Sequence, residues 1–358
     1  MNWLGDAVMT TPALLRLREA LPATHLALLT PAKLADLWAD HPAVDEVIPF
    51  TPREGLWKLA SRLRSGHFGA ALVLPNSPRS ALECFLARIP VRVGFGRSLR
   101  SWALTHPVLP RADAVKMHKP SVAEIRQRLQ SGMPNPALPP ASAHHSLEYL
   151  ALVQAFGAKA DPLPPRLEIS AAGREAALSK FGLSPGVRWL GLNPGAEYGP
   201  AKRWPAGRFA AVARAVSVSA GVRWVLFGGG SDRSITAEIQ AALPGALDLA
   251  GRTSLGELMA VLSSVELLLT NDTGPMHVAA ALGVPVVVPF GSTSPELTGP
   301  GLPGDPRHRW IRTGVACAPC FLRECPIDFR CMLGLDAERV TAEVLGALGN
   351  GSAGVHES

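Results

Sequence analysis

The stretch NDTGPMHVAAALGVPVVVPFGSTSPE, residues 271–296, joins an apolar run at 265–269 to a helix with Pro275 in its first turn, and then to a second apolar run at 284–289. Strand, polar turn, helix and strand in that order are the unit from which doubly wound parallel sheets are built. Proline costs nothing at the first helical position, where its missing N–H would be unpaired anyway. The turn Thr270-Asn271-Asp272-Thr273-Gly274 then suits an anion. Unpaired backbone N–H groups and the positive end of the helix dipole stabilise phosphate, Asp272 and Thr273 can cap the helix, and Gly274 lets a ligand approach the backbone. His277, in that first turn, is close enough to help hold a diphosphate. Taken alone, the segment also reads as an ordinary capped strand-to-helix junction.

Upstream, residues 187–216 read VRWLGLNPGAEYGPAKRWPAGRFAAVARAV and repeat the plan: apolar strand, Gly-rich loop, helix. Phe209, Val212, Ala213 and Val216 fall at i, i+3, i+4 and i+7, one buried helical face, so the preceding loop belongs at the carboxyl edge of a sheet. In it Lys202 and Arg203 bring cations beside a turn whose glycines, Gly195 and Gly199, allow close backbone approach. An isolated Lys-Arg pair is normally solvated surface. The flanking glycines and Trp204 favour a ligand. Two such loops opening on one crevice share a ligand, and a third, Phe227 through Gly228, Gly229, Gly230 and Ser231 to Asp232, follows another strand; a glycine cluster there is often only a turn. Leu249-Ala250-Gly251-Arg252-Thr253-Ser254 is a further candidate for the nucleoside end.

These motifs resemble glycosyltransferase family 9, the bacterial lipopolysaccharide heptosyltransferases, and most closely its heptosyltransferase II members. The match rests on NPGAEYGPAKRWP and, about 70 residues later, NDTGPMHVAAALGVPVV, together with GDAVMTTPALLRLREALP, LPNSPRSAL and the Cys-rich end. The resemblance implies an α/β chain of GT-B type, two Rossmann-like doubly wound parallel-sheet domains facing a central cleft. It also implies inverting transfer of heptose from ADP-heptose to the heptosyl-Kdo-lipid A inner core. Heptosyltransferase I, another member with a different acceptor or donor, and a GT-B sugar-nucleotide epimerase are the alternatives.

Length and composition agree with that class. The chain has 358 residues, long for one domain and comfortable for two. No window holds the ~18 uninterrupted apolar residues of a membrane span. The N-terminal segment lacks the features of a secretory signal, so a cytoplasmic protein is expected. A formal charge of +6 comes from scattered basic residues in a chain with only two tyrosines. That distribution weighs against nucleic acid, and the phosphorylated lipid acceptor that the resemblance implies, with peripheral contact at the anionic cytoplasmic face of the inner membrane, explains the same charge; neither partner follows from charge alone.

Strands are expected at 25–29, 44–50, 70–74 and 91–95 in the first half, and at 187–192, 222–227, 265–269 and 284–289 in the second. Residues 133–165 lose the rhythm and hold Pro134, Pro136, Pro139, Pro140, Pro162, Pro164 and Pro165 around a short helical stretch at 147–156. Proline removes donors and stiffens the chain, which suits a passage between domains. The expected partition is an acceptor-binding domain at 1–165, an ADP-sugar-binding domain with the Cys-rich end at 166–335, and a helix with a disordered tail at 336–358. Family members begin with an apolar strand that delivers the Gly-Asp turn. Here the sequence opens at Met1-Asn2-Trp3-Leu4-Gly5-Asp6, so the resemblance implies a first strand that this sequence lacks.

Inverting transfer needs a base for the acceptor hydroxyl, and by the family match this is Asp6, in a turn before a helix expected at 12–21; a capping carboxylate is the plain alternative. Lys202 is the second catalytic candidate, because negative charge grows on the ADP β-phosphate as the glycosidic bond breaks. The expected donor set is Asn193, Gly195, Lys202, Asp272, Thr273, Gly274 and His277, joined by Gly229 and Ser231. Asn76, Arg79, Arg97 and Arg100 follow two N-terminal strands and are expected to hold the acceptor, with Ser77, Lys116 and His118 near them. No DxD-like pair stands out, and no cofactor is expected for catalysis. Cys317, Cys320, Cys325 and Cys331 start with C-x-x-C but lack a second one. A structural Zn site is one reading of them, a reduced structural loop the other.

Overall fold

The computed structural model describes residues 1–131 and 138–351, so Pro134, Pro136 and the expected tail at 352–358 lie outside the described residues. The chain divides into two compact units, Met1–Val115 with Ser142–Glu168, and Lys116–Ala141 with Ile169–Ser358. The division passes close to the Pro-rich boundary expected at 165, but residues 116–141 group with the second unit.

The first unit contains β1 (Ala27–Pro31), β2 (Glu46–Phe50), β3 (Ala70–Val73), β4 (Val91–Phe95) and β5 (His106–Val108). β1 pairs in parallel with β2, and β3, β4 and β5 form a separate parallel sheet in that order. β1 and β3 therefore each keep one unpaired edge among the described residues. Both edges line one largely apolar cavity of about 830 Å³, together with Met1, Asn2 and Trp38. Burial lowers the pKa of the Met1 ammonium, the nearby Asp6 charge opposing the shift, and the buried Trp38 indole N–H has no partner. Trp3 lies near Lys33, just past the carboxyl end of β1.

The second unit holds β6 (Trp189–Asn193), β7 (Arg223–Leu226), β8 (Leu247–Asp248), β9 (Leu268–Thr270), β10 (Val286–Phe290) and β11 (His308–Arg312). They make one parallel sheet in the order β11-β10-β9-β6-β7-β8. From β6 the chain winds to one edge through β7 and β8, returns beside β6 as β9, and winds to the other edge. This is the strand order of a dinucleotide-binding fold, with its switch point between β6 and β9. β6 and β10 are buried throughout, as strands covered by helices on both faces must be. The helix Ala206–Ala220 buries the expected Phe209, Val212, Ala213 and Val216 against Leu190, Leu192 and Trp224. It packs beside the C-terminal helix Ala337–Gly351.

β5, β8 and β11 have no counterpart in the sequence reading. β5 is three residues long and contains Pro107, β8 is two residues long, and β11 reads His-Arg-Trp-Ile-Arg at a sheet edge. Short or polar edge strands carry little apolar periodicity. No helix of the described residues is long and apolar enough to cross a membrane.

Candidate active site

The loops after β6 and β9 leave the carboxyl edge of the sheet at its switch point, where α/β folds bind ligands. Buried hydrogen bonds lock them together. The Asn193 amide donates to Thr270 Oγ1 at 3.2 Å, and the Asn271 backbone N–H donates to the Asn193 carbonyl at 3.3 Å. Asn271 Nδ2 donates to the Pro194 carbonyl at 2.7 Å, and its Oδ1 accepts the Trp204 backbone N–H at 3.0 Å. Asn193 is thus an internal tie between strands, and Asn271, absent from the expected set, ties the loop after β9 to the loop after β6 through both ends of its amide.

Lys202 Nζ lies 2.6 Å from Asp272 Oδ2, with side-chain exposures of 14% and 3%. The Thr293 hydroxyl donates to the same carboxylate oxygen. Asp272 was expected as a helix cap. Its carboxylate instead fixes the lysine, because a cation at this depth leaves less charge unpaired than a bond to a peptide N–H. Thr273 occupies the N-cap position of the helix Gly274–Ala281 with an extended backbone, but its side chain makes no cap bond. The sequence expectation of Asp272 and Thr273 as caps is corrected on both counts. His277 is buried in the first turn of that helix.

Gly195 is required by packing: a Cβ there would lie 2.4 Å from Asp232 Oδ2. Asp232 accepts the Gly229 N–H at 3.0 Å and lies 3.5 Å from an Arg203 guanidinium nitrogen. The Gly229 N–H is therefore spent inside the loop, and Ser231 is exposed beside it. Asp232, which the sequence places only at the end of a candidate glycine loop, organises this corner.

In the first unit, Asp6 does not sit in a turn. It lies in the first turn of a short helix, Leu4–Met9, which runs through Thr10 into a second helix, Thr11–Ala20. Burial raises the pKa of Tyr149, and the negative charge of Asp6 adds to the effect, so the two groups are neighbours. Asn76 and Ser77 precede the helix Pro78–Leu86, where the Ser77 hydroxyl accepts the Ser80 N–H. Arg79 is half-exposed and pairs with Glu83 at 2.7 Å. Arg97 is exposed, 5.9 Å from the Phe95 ring centre.

Arg100 differs from its expected role. It is 1% exposed, and its guanidinium donates to the Pro75 carbonyl at 2.6 Å and to Asn76 Oδ1 at 3.3 Å. Its charge holds the loop after β3 in place and is not presented to solvent. Assigned to the second unit, His118 pairs with Glu124 at 3.2 Å, while Lys116 is exposed.

All five cysteines are free thiols. Among the described residues no group of three or more His, Cys, Asp or Glu is gathered to hold a metal. Burial, followed by the neighbouring thiols Cys317, Cys320 and Cys325, pushes Cys331 up to about 12. Cys325 Sγ accepts the Phe329 N–H.

With this geometry in view, the profile of glycosyltransferase family 9 (heptosyltransferase) matches residues 56–329. Lipopolysaccharide heptosyltransferase 2 of Salmonella typhimurium is 32% identical over 317 residues, covering 84% of this chain and 83% of that one. The Escherichia coli protein of the same name is 31% identical over the same shares. The solved structure of E. coli ADP-heptose LPS heptosyltransferase II superposes with a TM-score of 0.76 at 28% identity, covering 98% of this chain and 97% of that one.

Proposed function

This chain belongs to glycosyltransferase family 9 and is a glycosyltransferase of GT-B fold, and from that premise we propose that it moves heptose from ADP-heptose to the heptosyl-Kdo-lipid A inner core of lipopolysaccharide. The observation that carries the reading is the pair of half-buried Lys202 and buried Asp272 at the switch point of the second unit's sheet, next to the N-terminus of the helix Gly274–Ala281. A diphosphate placed there meets the Lys202 cation, the Gly274 backbone N–H and the positive end of the helix dipole.

The chemistry follows from inversion. The acceptor hydroxyl oxygen attacks the anomeric carbon from the face opposite ADP, the bond from that carbon to the β-phosphate oxygen breaks, and its electron pair leaves with ADP. The hydroxyl proton passes to the Asp6 carboxylate. Lys202, the backbone N–H of Gly274 and His277 stabilise the charge that builds on the leaving phosphate. Thr273 and Asp272 set the turn, and Asn193, Gly195, Gly229 and Ser231 form the rest of the donor wall. On the acceptor side Asn76, Arg79 and Arg97 meet hydroxyls and anionic oxygens, with Arg100 positioning Asn76. The Cys-rich end acts as a reduced brace, and the protein works at the cytoplasmic face of the inner membrane against anionic lipid.

The test is ADP release from ADP-heptose, with and without heptosyl-Kdo-lipid A. Release that requires the acceptor and falls about 10²–10⁴-fold in Asp6→Ala supports both the transfer and the base. Release without acceptor, or an Asp6→Ala protein as active as the parent, rejects them respectively.

A further inference from the structure

Three cations from separate segments of the second unit meet on one aromatic ring. Lys202 Nζ lies 5.1 Å from the Tyr198 ring centre, the Arg323 guanidinium carbon 5.2 Å and Lys119 Nζ 5.8 Å. Lys119 stands just before the helix Val122–Gln130, which Ser121 and Glu124 close with a capping box. Arg323 comes from the Cys-rich loop. Of the three, only Lys202 has a carboxylate partner; Lys119 and Arg323 form no ion pair among the described residues. Each cation gains from the ring face, but three on one ring repel one another, and the arrangement calls for an anion.

The placement of Arg323 is built into the backbone. A side chain at Gly199 would meet the Arg323 carbonyl oxygen at 2.5 Å, at a backbone φ of +156°. The same carbonyl accepts the Ala201 N–H at 2.9 Å, and the Tyr198 hydroxyl donates to the Phe321 carbonyl at 2.8 Å. On its other side the loop donates the Cys320 and Phe321 N–H groups to the Ser292 carbonyl, at 3.1 and 2.6 Å. Ser292 precedes Thr293, whose hydroxyl sits on Asp272. The Cys-rich loop is thus stitched to both sides of the Lys202–Asp272 pair.

We propose that Lys119, Lys202 and Arg323, gathered on Tyr198, form a clamp for a phosphate group, and that the Cys-rich loop serves to carry Arg323 into it. The proposal rests on the reading of the Lys202 loop as the donor loop. The phosphate is that of the donor diphosphate or one carried by the acceptor sugar, and both present the same oxyanion to the same cations.

The full chain is titrated calorimetrically with ADP and with adenosine, as wild type, Arg323→Gln, Arg323→Lys and Lys119→Gln, with KM measured for ADP-heptose and for phosphorylated and dephosphorylated acceptors. Arg323→Gln is expected to weaken ADP binding about tenfold and leave adenosine unchanged, with Arg323→Lys recovering part of the loss. If ADP affinity holds while KM rises for the phosphorylated acceptor alone, the clamp stands and its phosphate is the acceptor's. Unchanged ADP binding and unchanged KM for both acceptors, in variants that melt with the wild type, overturn it. If wild-type protein binds no ADP, the donor reading fails, and pyrophosphate becomes the probe: weaker binding in the Gln variants supports the clamp, and equal binding removes it.

Discussion

Lys202 and Asp272 depend on each other, since neither charge is solvated enough to stand alone at this depth. Lys202→Met leaves the Asp272 carboxylate with the Thr293 hydroxyl as its hydrogen-bond partner, and is expected to lower stability by about 3 kcal/mol and abolish ADP binding. Adding Asp272→Asn is expected to restore most of the stability and none of the binding. Urea denaturation with calorimetry separates the two effects, and a double variant no more stable than Lys202→Met would mean the pair is not coupled. Two buried histidines set the acid limit. Burial depresses both His41 and His308 to about 4, Arg166 adding to the effect at His41, while Asp305, 3.7 Å from His308, opposes it. The unfolded chain takes up protons at both from about pH 6.5 downward and the folded chain does not, so their contribution is complete above that pH and is lost as pH falls toward 4. Each is worth on the order of 3 kcal/mol when fully lost. Urea midpoints measured from pH 7 to 4 are expected to fall across this window, and to fall less in a His308→Gln variant.

The loops give the sharpest contrast between what sequence can and cannot reveal. Gly195→Ala is expected to cost about 1–3 kcal/mol, because the new methyl displaces Asp232 from its bond to the Gly229 N–H. Gly229→Ala, whose Cβ would meet nothing nearer than 3.7 Å, is expected to be close to neutral. Equal denaturation midpoints for the two variants would remove Asp232 as the organiser of this corner. Both glycines looked alike in the sequence, since a motif shows that a turn is tight but not which neighbour makes it so. The strand-loop-helix units around Lys202 and Asp272 were legible because their apolar periods are long and their turns carry Gly and Pro at fixed places. Asn271, Tyr198 and Arg323 were not, since the side-chain hydrogen bonds of Asn271 and Tyr198 and the contact of Arg323 with the Tyr198 ring span 67 or more residues of the chain. Arg100 was misread for a related reason: a charged residue after a strand normally means solvent, and only the fold shows its guanidinium turned onto the Pro75 carbonyl.

At the scale of the whole molecule, the two units are finished to different degrees. The second closes six parallel strands over a continuous core, whereas the first leaves the edges of β1 and β3 facing one apolar cavity. The cavity has a mechanical consequence. Unfolding is favoured by hydrostatic pressure in proportion to the void volume it eliminates, and the first unit holds a cavity of about 830 Å³ beside β1 and β3. Compression should therefore melt the half that carries Asp6 while the half that carries Lys202 keeps its fold, exposing the buried Trp38 to quenching before the buried Trp204 and Trp224.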